Sequence, residues 1–277
     1  MMILLQLLVS GIAMGFVYAL TAVEYTLIWN SSGLLNFGHE KVIMLGAYIF
    51  AGTMVLNLGT GVVPGFVATV AVMAVFGVLI AFSIFIPLRQ MSRLCAIMAT
   101  VMMGNIINEA VRLYYGPEAM TVKGFMSGIA RVGNLAVAKA YIYIIVISIV
   151  IVGLLELFMR KTKTGKAMRC VASNKTAAAL MGIDVSRNMA VTVAISVIPV
   201  FSVNSSMATM ISLKGFAAGV VGGFGSLPGA IVGGLAIGIA ENIAGMIFPS
   251  TFKDAVAFIV LIAVLLVKPS GLLGKKR

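Results

Sequence analysis

The stretch VIMLGAYIFAGTMVLNLGTGVVPGFVATVAVMAVFGVLIAFSIFIPL, residues 42–88, contains no Asp, Glu, Lys or Arg. A helix needs about 20 apolar residues to cross a bilayer, so the stretch holds two spans, parted near Asn57-Leu58-Gly59-Thr60-Gly61 and Pro64. The whole chain is 61% hydrophobic and only 10% charged. A soluble fold would have to hide several such runs in one core, and its remaining surface would be almost uncharged. The sequence therefore reads as an all-α, polytopic membrane protein.

Working outward, residues 3–29, 94–113, 141–158, 189–213 and 255–267 are further candidate spans, and 216–248 is one in broken form. With 42–56 and 62–87 they make about eight transmembrane helices, some Gly/Pro-interrupted or re-entrant, in a single transmembrane domain over residues 1–277. The start MMILLQLLVSGIAMG has no basic n-region or small-residue cleavage site, which predicts a retained first span and not a signal peptide.

The net charge of +12 is confined to short loops, where a nucleic-acid surface would spread its cations along one face. Arg89 and Arg93 flank one turn. Seven Lys/Arg fall between residues 160 and 187, and Lys268, Lys275, Lys276 and Arg277 close the chain. Lys and Arg are retained on the cytoplasmic side, so these three places are read as cytoplasmic, facing anionic lipid. Cys95 and Cys170 lie near them, where thiols stay reduced; neither a disulfide nor a metal site is expected.

Sidedness makes 94–113 and 141–158 an out-and-back pair around a polar segment, 114–139. If 189–213 runs outward, residues 216–267 must cross an odd number of times, although their hydropathy suggests two elements. GFAAGVVGGFGSLPGAIVGG is the suspect. Its glycines at 215, 219 and 223, and at 225, 229 and 233, repeat at the i, i+4 spacing that lets helices approach closely in lipid, and Gly225-Ser226-Leu227-Pro228-Gly229 breaks the helix between the two series. A second interruption, Asn30-Ser31-Ser32-Gly33 followed by Asn36-Phe37-Gly38-His39-Glu40-Lys41, sits in the first half. Paired breaks occur near the pathways of inverted-repeat transporters; a plain loop over 30–41 is the alternative.

Between the apolar runs, RKTKTGKAMRCVASNKTAAALMGIDVSR (160–187) is too polar to cross a bilayer. Gly165 to Ala172 can form a short helix with Ala167, Met168 and Val171 on one side and Lys166 and Arg169 on another. Asn174 can cap a second helix, and Gly182 suits the left-handed residue that ends it. Such an amphipathic pair would dock a soluble partner; a solvated loop on anionic headgroups is the rival reading.

TKTGKAMRCVASNKTAAALMGI resembles the cytoplasmic coupling segment of the permease subunits of branched-chain amino acid ABC importers. YALTAVEYTLIWNSSGLLNFGHE, LKGFAAGVVGGFGSLPGAIVGG, LLVKPSGLLG and the turn at Leu113-Tyr114-Tyr115-Gly116-Pro117-Glu118 are similar to other segments of that family, so the resemblance covers nearly the whole chain. Glu24 and Asn30 stand where the family has small residues. The chain is also shorter than the family pattern between Gly182 and Phe216, where the usual Ala/Gly-rich helix reads VIPVFSVNSSMATM.

The resemblance implies an importer in the bacterial or archaeal cytoplasmic (inner) membrane. This chain would pair with a second permease subunit, two ATP-binding subunits and an extracytoplasmic solute-binding protein. It would bind no cofactor itself, with ATP and Mg held by the partners; no P-loop occurs in its sequence. The coupling residues implied are Thr164, Gly165, Lys166, Ala167, Met168, Arg169, Ala178, Leu180, Met181 and Gly182. Candidate pathway residues are Glu24, Asn36, His39, Gly225, Ser226, Pro228 and Glu241.

A carboxylate such as Glu24 is expensive in a span unless it lines a cavity, reaches the interface or finds a partner; Lys41 is one option. Glu109 and Arg112, three apart on a helix, can neutralise one another. His39 is the sole histidine and makes neither a metal site nor a triad. The rival functions are a urea or short-amide ABC permease, a stand-alone secondary transporter or channel using Glu24 and Glu241, and, with least support, a membrane enzyme using His39.

Overall fold

The computed structural model describes residues 2–88, 91–116, 128–132, 135–196, 205–247, 249 and 252–274. Six helices among them are long and apolar enough to cross a membrane: Leu5–Ser32, His39–Asn57, Val62–Leu88, Leu94–Tyr115, Lys139–Lys161 and Leu227–Met246. In chain order the helices are α1 (Met2–Ser32), α2 (His39–Tyr48), α3 (Val62–Ile80), α4 (Ile86–Leu88), α5 (Arg93–Tyr115), α6 (Lys139–Lys161), α7 (Lys163–Ser173), α8 (Lys175–Leu180), α9 (Val185–Ser196), α10 (Ser205–Gly222), α11 (Leu227–Ile247) and α12 (Lys253–Val267). Helix α2 continues as a π-helical stretch, Ile49–Asn57, and α3 joins α4 through a π-helical turn, Ala81–Phe85. The helices α10 and α12 bring the long apolar elements to about the expected number. One feature departs from a purely helical reading: a small antiparallel hairpin, β1 (Ile129–Val132) with β2 (Leu135–Ala138), stands between α5 and α6.

The chain divides into two compact units. Met1–Thr26, Lys123–Leu157 and Met210–Arg277 form one; Leu27–Val122 and Phe158–Thr209 form the other.

In the first unit small residues set the helix spacing. A Cβ on Gly15 would come within 2.9 Å of the Leu235 backbone, and one on Gly233 within 2.7 Å of the Gly222 nitrogen. Helices that meet backbone to backbone gain dispersion contacts that lipid cannot replace. The expected glycine series is divided between two jobs: Gly229 and Gly233 pack α11 on α10, whereas Gly223 and Gly225 take positive φ (103° and 97°) in the break. Helix α10 runs through Leu213 and Phe216 without interruption, so the boundary expected between a 189–213 span and a 216–248 span is not there, and the described residues of 205–267 form α10, α11 and α12. The tail Lys268–Gly274 folds onto the end of α10, where Leu272 N–H donates to Val221 O (2.8 Å) and Leu273 N–H to Gly222 O (2.9 Å). Those bonds satisfy carbonyls that a helix end leaves open.

In the second unit the core gathers Ile28, Val42, Met44, Tyr48, Met73, Phe85, Ala96, Met189 and Val193. Helix α3 packs on α9 at Gly77, where a Cβ would lie 2.7 Å from Ala194 Cα. The segment 33–38 is buried non-helical backbone and not a solvated loop. Gly33 takes φ 71°; Ser32 Oγ accepts from Leu34 N–H (3.0 Å), Asn36 Oδ1 accepts from Gly38 N–H (3.1 Å), and Thr100 Oγ1 accepts from Phe37 N–H (3.3 Å). These bonds let irregular backbone exist where lipid would not tolerate it.

Candidate functional site

Two groups of residues stand out, one in each unit. In the second unit, the end of α6, from Phe158 onward, turns into the helix pair α7–α8. Thr162 ends α6 by donating to Phe158 O (2.7 Å) and starts α7 by accepting from Gly165 N–H (3.0 Å). Asn174 caps α8 by accepting from Ala177 N–H (3.0 Å), and Gly182 takes φ 80° after it. This is the geometry that the spacing of Asn174 and Gly182 predicts.

The pair divides the residues expected to take part in coupling into buried and exposed groups. Gly165, Met168 and Ala178 are buried, as is Val171. A Cβ on Gly165 would come within 2.8 Å of Met159 O, so this glycine holds α7 against the end of α6 and cannot itself touch a partner. Lys166, Arg169 and Gly182 are exposed, Thr164 and Ala167 half-buried. Leu180 and Met181 are 84% and 83% exposed. They are two large apolar side chains left uncovered at the end of a capped helix, and exposure of each to water would be disfavoured by about 1.5–3 kcal/mol.

In the first unit Lys214 on α10 is buried, with 4% of its surface exposed. Its Nζ lies 2.8 Å from Glu241 Oε1 on α11 and 2.6 Å from Asp254 Oδ1 on α12. Tyr18 of α1 donates its hydroxyl to Glu241 Oε2 (2.9 Å) and accepts from Lys214 Nζ (3.4 Å); the ammonium also sits 5.4 Å from the Tyr18 ring centroid. Asp254 is half-exposed. One cation thus ties four helices together and leaves the group one negative charge in excess.

Of the candidate pathway residues, Glu241 has both carboxylate oxygens occupied by Lys214 and Tyr18. Glu24 is buried in α1, and Asn36 and His39 are buried at the 33–38 break. Lys41 lies 3.3 Å from Glu40 and bonds Thr209 Oγ1. Ser226 caps α11 by accepting from Gly229 N–H (3.2 Å), with Pro228 in the first turn, where its missing N–H is not needed; Gly225 belongs to the turn before it. Glu109 and Arg112 pair at 3.2 Å on an exposed face. Cys95 and Cys170 are free and exposed. Glu118 and the basic residues 275–277 lie outside the described residues, as does most of VIPVFSVNSSMATM.

Sequence reasoning did not single out Lys214, Tyr18 or Asp254. A signal was available: Lys214 is the sole Asp, Glu, Lys or Arg between Arg187 and Glu241, and a lone cation in an apolar run requires a partner.

A family model for the permease component of branched-chain amino acid transport systems matches residues 7–265. The chain is 32% identical to the high-affinity branched-chain amino acid transport system permease protein LivH of Escherichia coli K12, over 98% of this chain and 96% of that one. It is 32% identical to BraD of Pseudomonas aeruginosa, a permease protein of the same description, with the same coverage of both chains. The aligned length with LivH, 296 residues, exceeds the 277 residues present here, so gaps fall in this chain. The fold is similar to that of PsaBC from Streptococcus pneumoniae in complex with Fab, with a TM-score of 0.55, 15% identity, and coverage of 98% of this chain and 93% of that one.

Proposed function

The chain belongs to the family of branched-chain amino acid transport permeases, and from that premise we propose that it is the membrane-spanning subunit of an ABC importer for branched-chain amino acids. It is a multi-pass protein of the inner membrane. The observation that carries the reading is family membership along 7–265, supported by the capped α7–α8 pair, on which Leu180 and Met181 are exposed.

The working complex adds a second permease, two ATP-binding subunits that hold ATP and Mg, and an extracytoplasmic solute-binding protein. Both compact units act as one permease domain, since a single family match covers them. The partner ATPase seats Leu180 and Met181. Its closure moves α7–α8 as a rigid pair, because Thr162 and Asn174 cap both helices and Gly165 clamps α7 to α6. Helix α9 passes the displacement to α3 at the Gly77–Ala194 contact. Interactions that differ between the two states of the ATPase set how far this shifts the permease.

The test is co-purification from native membranes in mild detergent, followed by reconstitution with the recovered subunits and uptake of radiolabelled L-leucine. ATP-dependent uptake that requires the ATPase subunits supports the reading. Uptake by this chain alone along an ion gradient would overturn it in favour of a carrier, and uptake of urea in place of leucine would change the solute.

A further inference from the structure

The second unit holds a cavity of about 520 Å³ where the end of α1 meets α8 and the start of α9. That volume lies in the range of small-molecule sites, about 300–1,000 Å³. Its lining combines three chemistries. Lys175 supplies a cation, and its Nζ would stand 2.9 Å from a Cβ on Gly33, at the carbonyl end of α1. Asp184 supplies an anion, one of whose oxygens, Oδ1, accepts from Ser186 N–H (2.9 Å) and Arg187 N–H (3.0 Å); the other, Oδ2, is not used by this cap. Ile183, Val185 and Met189 supply an apolar wall.

Ser31 and Ser32 line the cavity as well, and Ser31 is buried with 3% of its surface exposed.

From these residues we infer that the cavity is a cytoplasmic-side site for a zwitterion with an apolar side chain. The carboxylate meets Lys175, the ammonium meets Asp184, and the side chain lies on Ile183, Val185 and Met189. This rests on the transport reading for its physiological ligand, a branched-chain amino acid that has already entered the cell. Lys175 opens α8, so occupancy holds α8 against α1 and α9 and slows the coupling movement: accumulated solute restrains its own import.

The test uses the assembled importer in nanodiscs without its solute-binding protein, and radiolabelled L-leucine in equilibrium dialysis, with L-lysine and inorganic phosphate as comparisons. Leucine is expected to be retained in preference to both. Asp184→Asn, which can still cap α9, and Lys175→Gln should each weaken retention about tenfold. No leucine retained, retention equal in wild type and both variants, or retention of phosphate alone overturns the site. Uptake into proteoliposomes loaded with L-leucine should be several-fold slower than into empty ones, with the rate restored by Asp184→Asn; equal rates overturn the restraint. Dialysis reads binding without transport, so an importer that moves another solute would sink the transport reading while this result stood by itself.

Discussion

Lys214 Nζ lies 2.8 Å from Glu241 Oε1, joining α10 to α11 through a pair in which both side chains are less than a tenth exposed. Desolvating two charges is tolerable only when each finds its counter-charge and further hydrogen bonds. Here Tyr18 serves Glu241 and Asp254 serves Lys214. Removing the cation strands a buried carboxylate. Lys214→Met is therefore expected to destabilise the first unit by about 3–5 kcal/mol, read as a lower unfolding temperature in detergent. Asp254→Asn, at a half-exposed position, should shift it much less. Equal shifts from the two variants would show that the pair is not the buried anchor described here.

Tyr18→Phe removes one hydrogen bond to the same carboxylate and little volume. The expected loss is about 1.5–3 kcal/mol, the range for bonds to a charged group, and it should be smaller in a Glu241→Gln background, where the acceptor carries no charge. A double-mutant cycle with no coupling between the positions would remove Tyr18 from the group.

Leu180 and Met181 make few contacts within the chain, so Leu180→Ser with Met181→Ser should alter its own stability by no more than about 0.5 kcal/mol per site. ATP hydrolysis by the assembled complex should continue while leucine uptake falls at least several-fold. Uptake at the wild-type rate would show that the ATPase does not use this tip.

Gly165 should behave in the opposite way. A side chain there meets the backbone of α6, and Gly165→Leu is expected to reduce folded protein in the membrane, as judged by fluorescence-detected size exclusion. A well-folded Gly165→Leu protein with normal uptake would refute the clamp between α6 and α7.

Asn174→Ala removes the cap of α8 and should cost about 1 kcal/mol locally. Faster amide hydrogen exchange at residues 175–180, with exchange in α3 unchanged, is the expected signature. Unchanged exchange in α8 would mean that tertiary contacts alone hold the helix.

Much of this was legible in the chain because lipid imposes a length and an apolar composition on each span, and those are local properties. The same holds for the turn chemistry of Asn174, Gly182 and Ser226-Leu227-Pro228, since caps are made by residues near in sequence. The break at 33–38 was visible as a polar interruption, but its burial was not: that depends on Thr100, which arrives from α5. The break between α10 and α11 at Gly223–Ser226 falls where Gly225-Ser226-Leu227-Pro228-Gly229 predicts it, whereas the span boundary expected between 213 and 216 is absent, because α10 packs closely on its neighbours through that point, a choice hydropathy does not register.

The sequence by itself determined that the protein is helical, lies in the membrane and carries a capped helix pair within its basic segment, all consequences of composition and short-range spacing. Only the tertiary structure decided that Gly165 and Met168 are anchors while Leu180 and Met181 are presented. It also decided that Lys214 answers Glu241 and Asp254, and that Lys175 and Asp184 line one cavity at the end of α1. Those relationships join residues far apart along the chain. They exist because a charge or a hydroxyl withdrawn from water must be met by whatever polar group the packing of other helices brings to it.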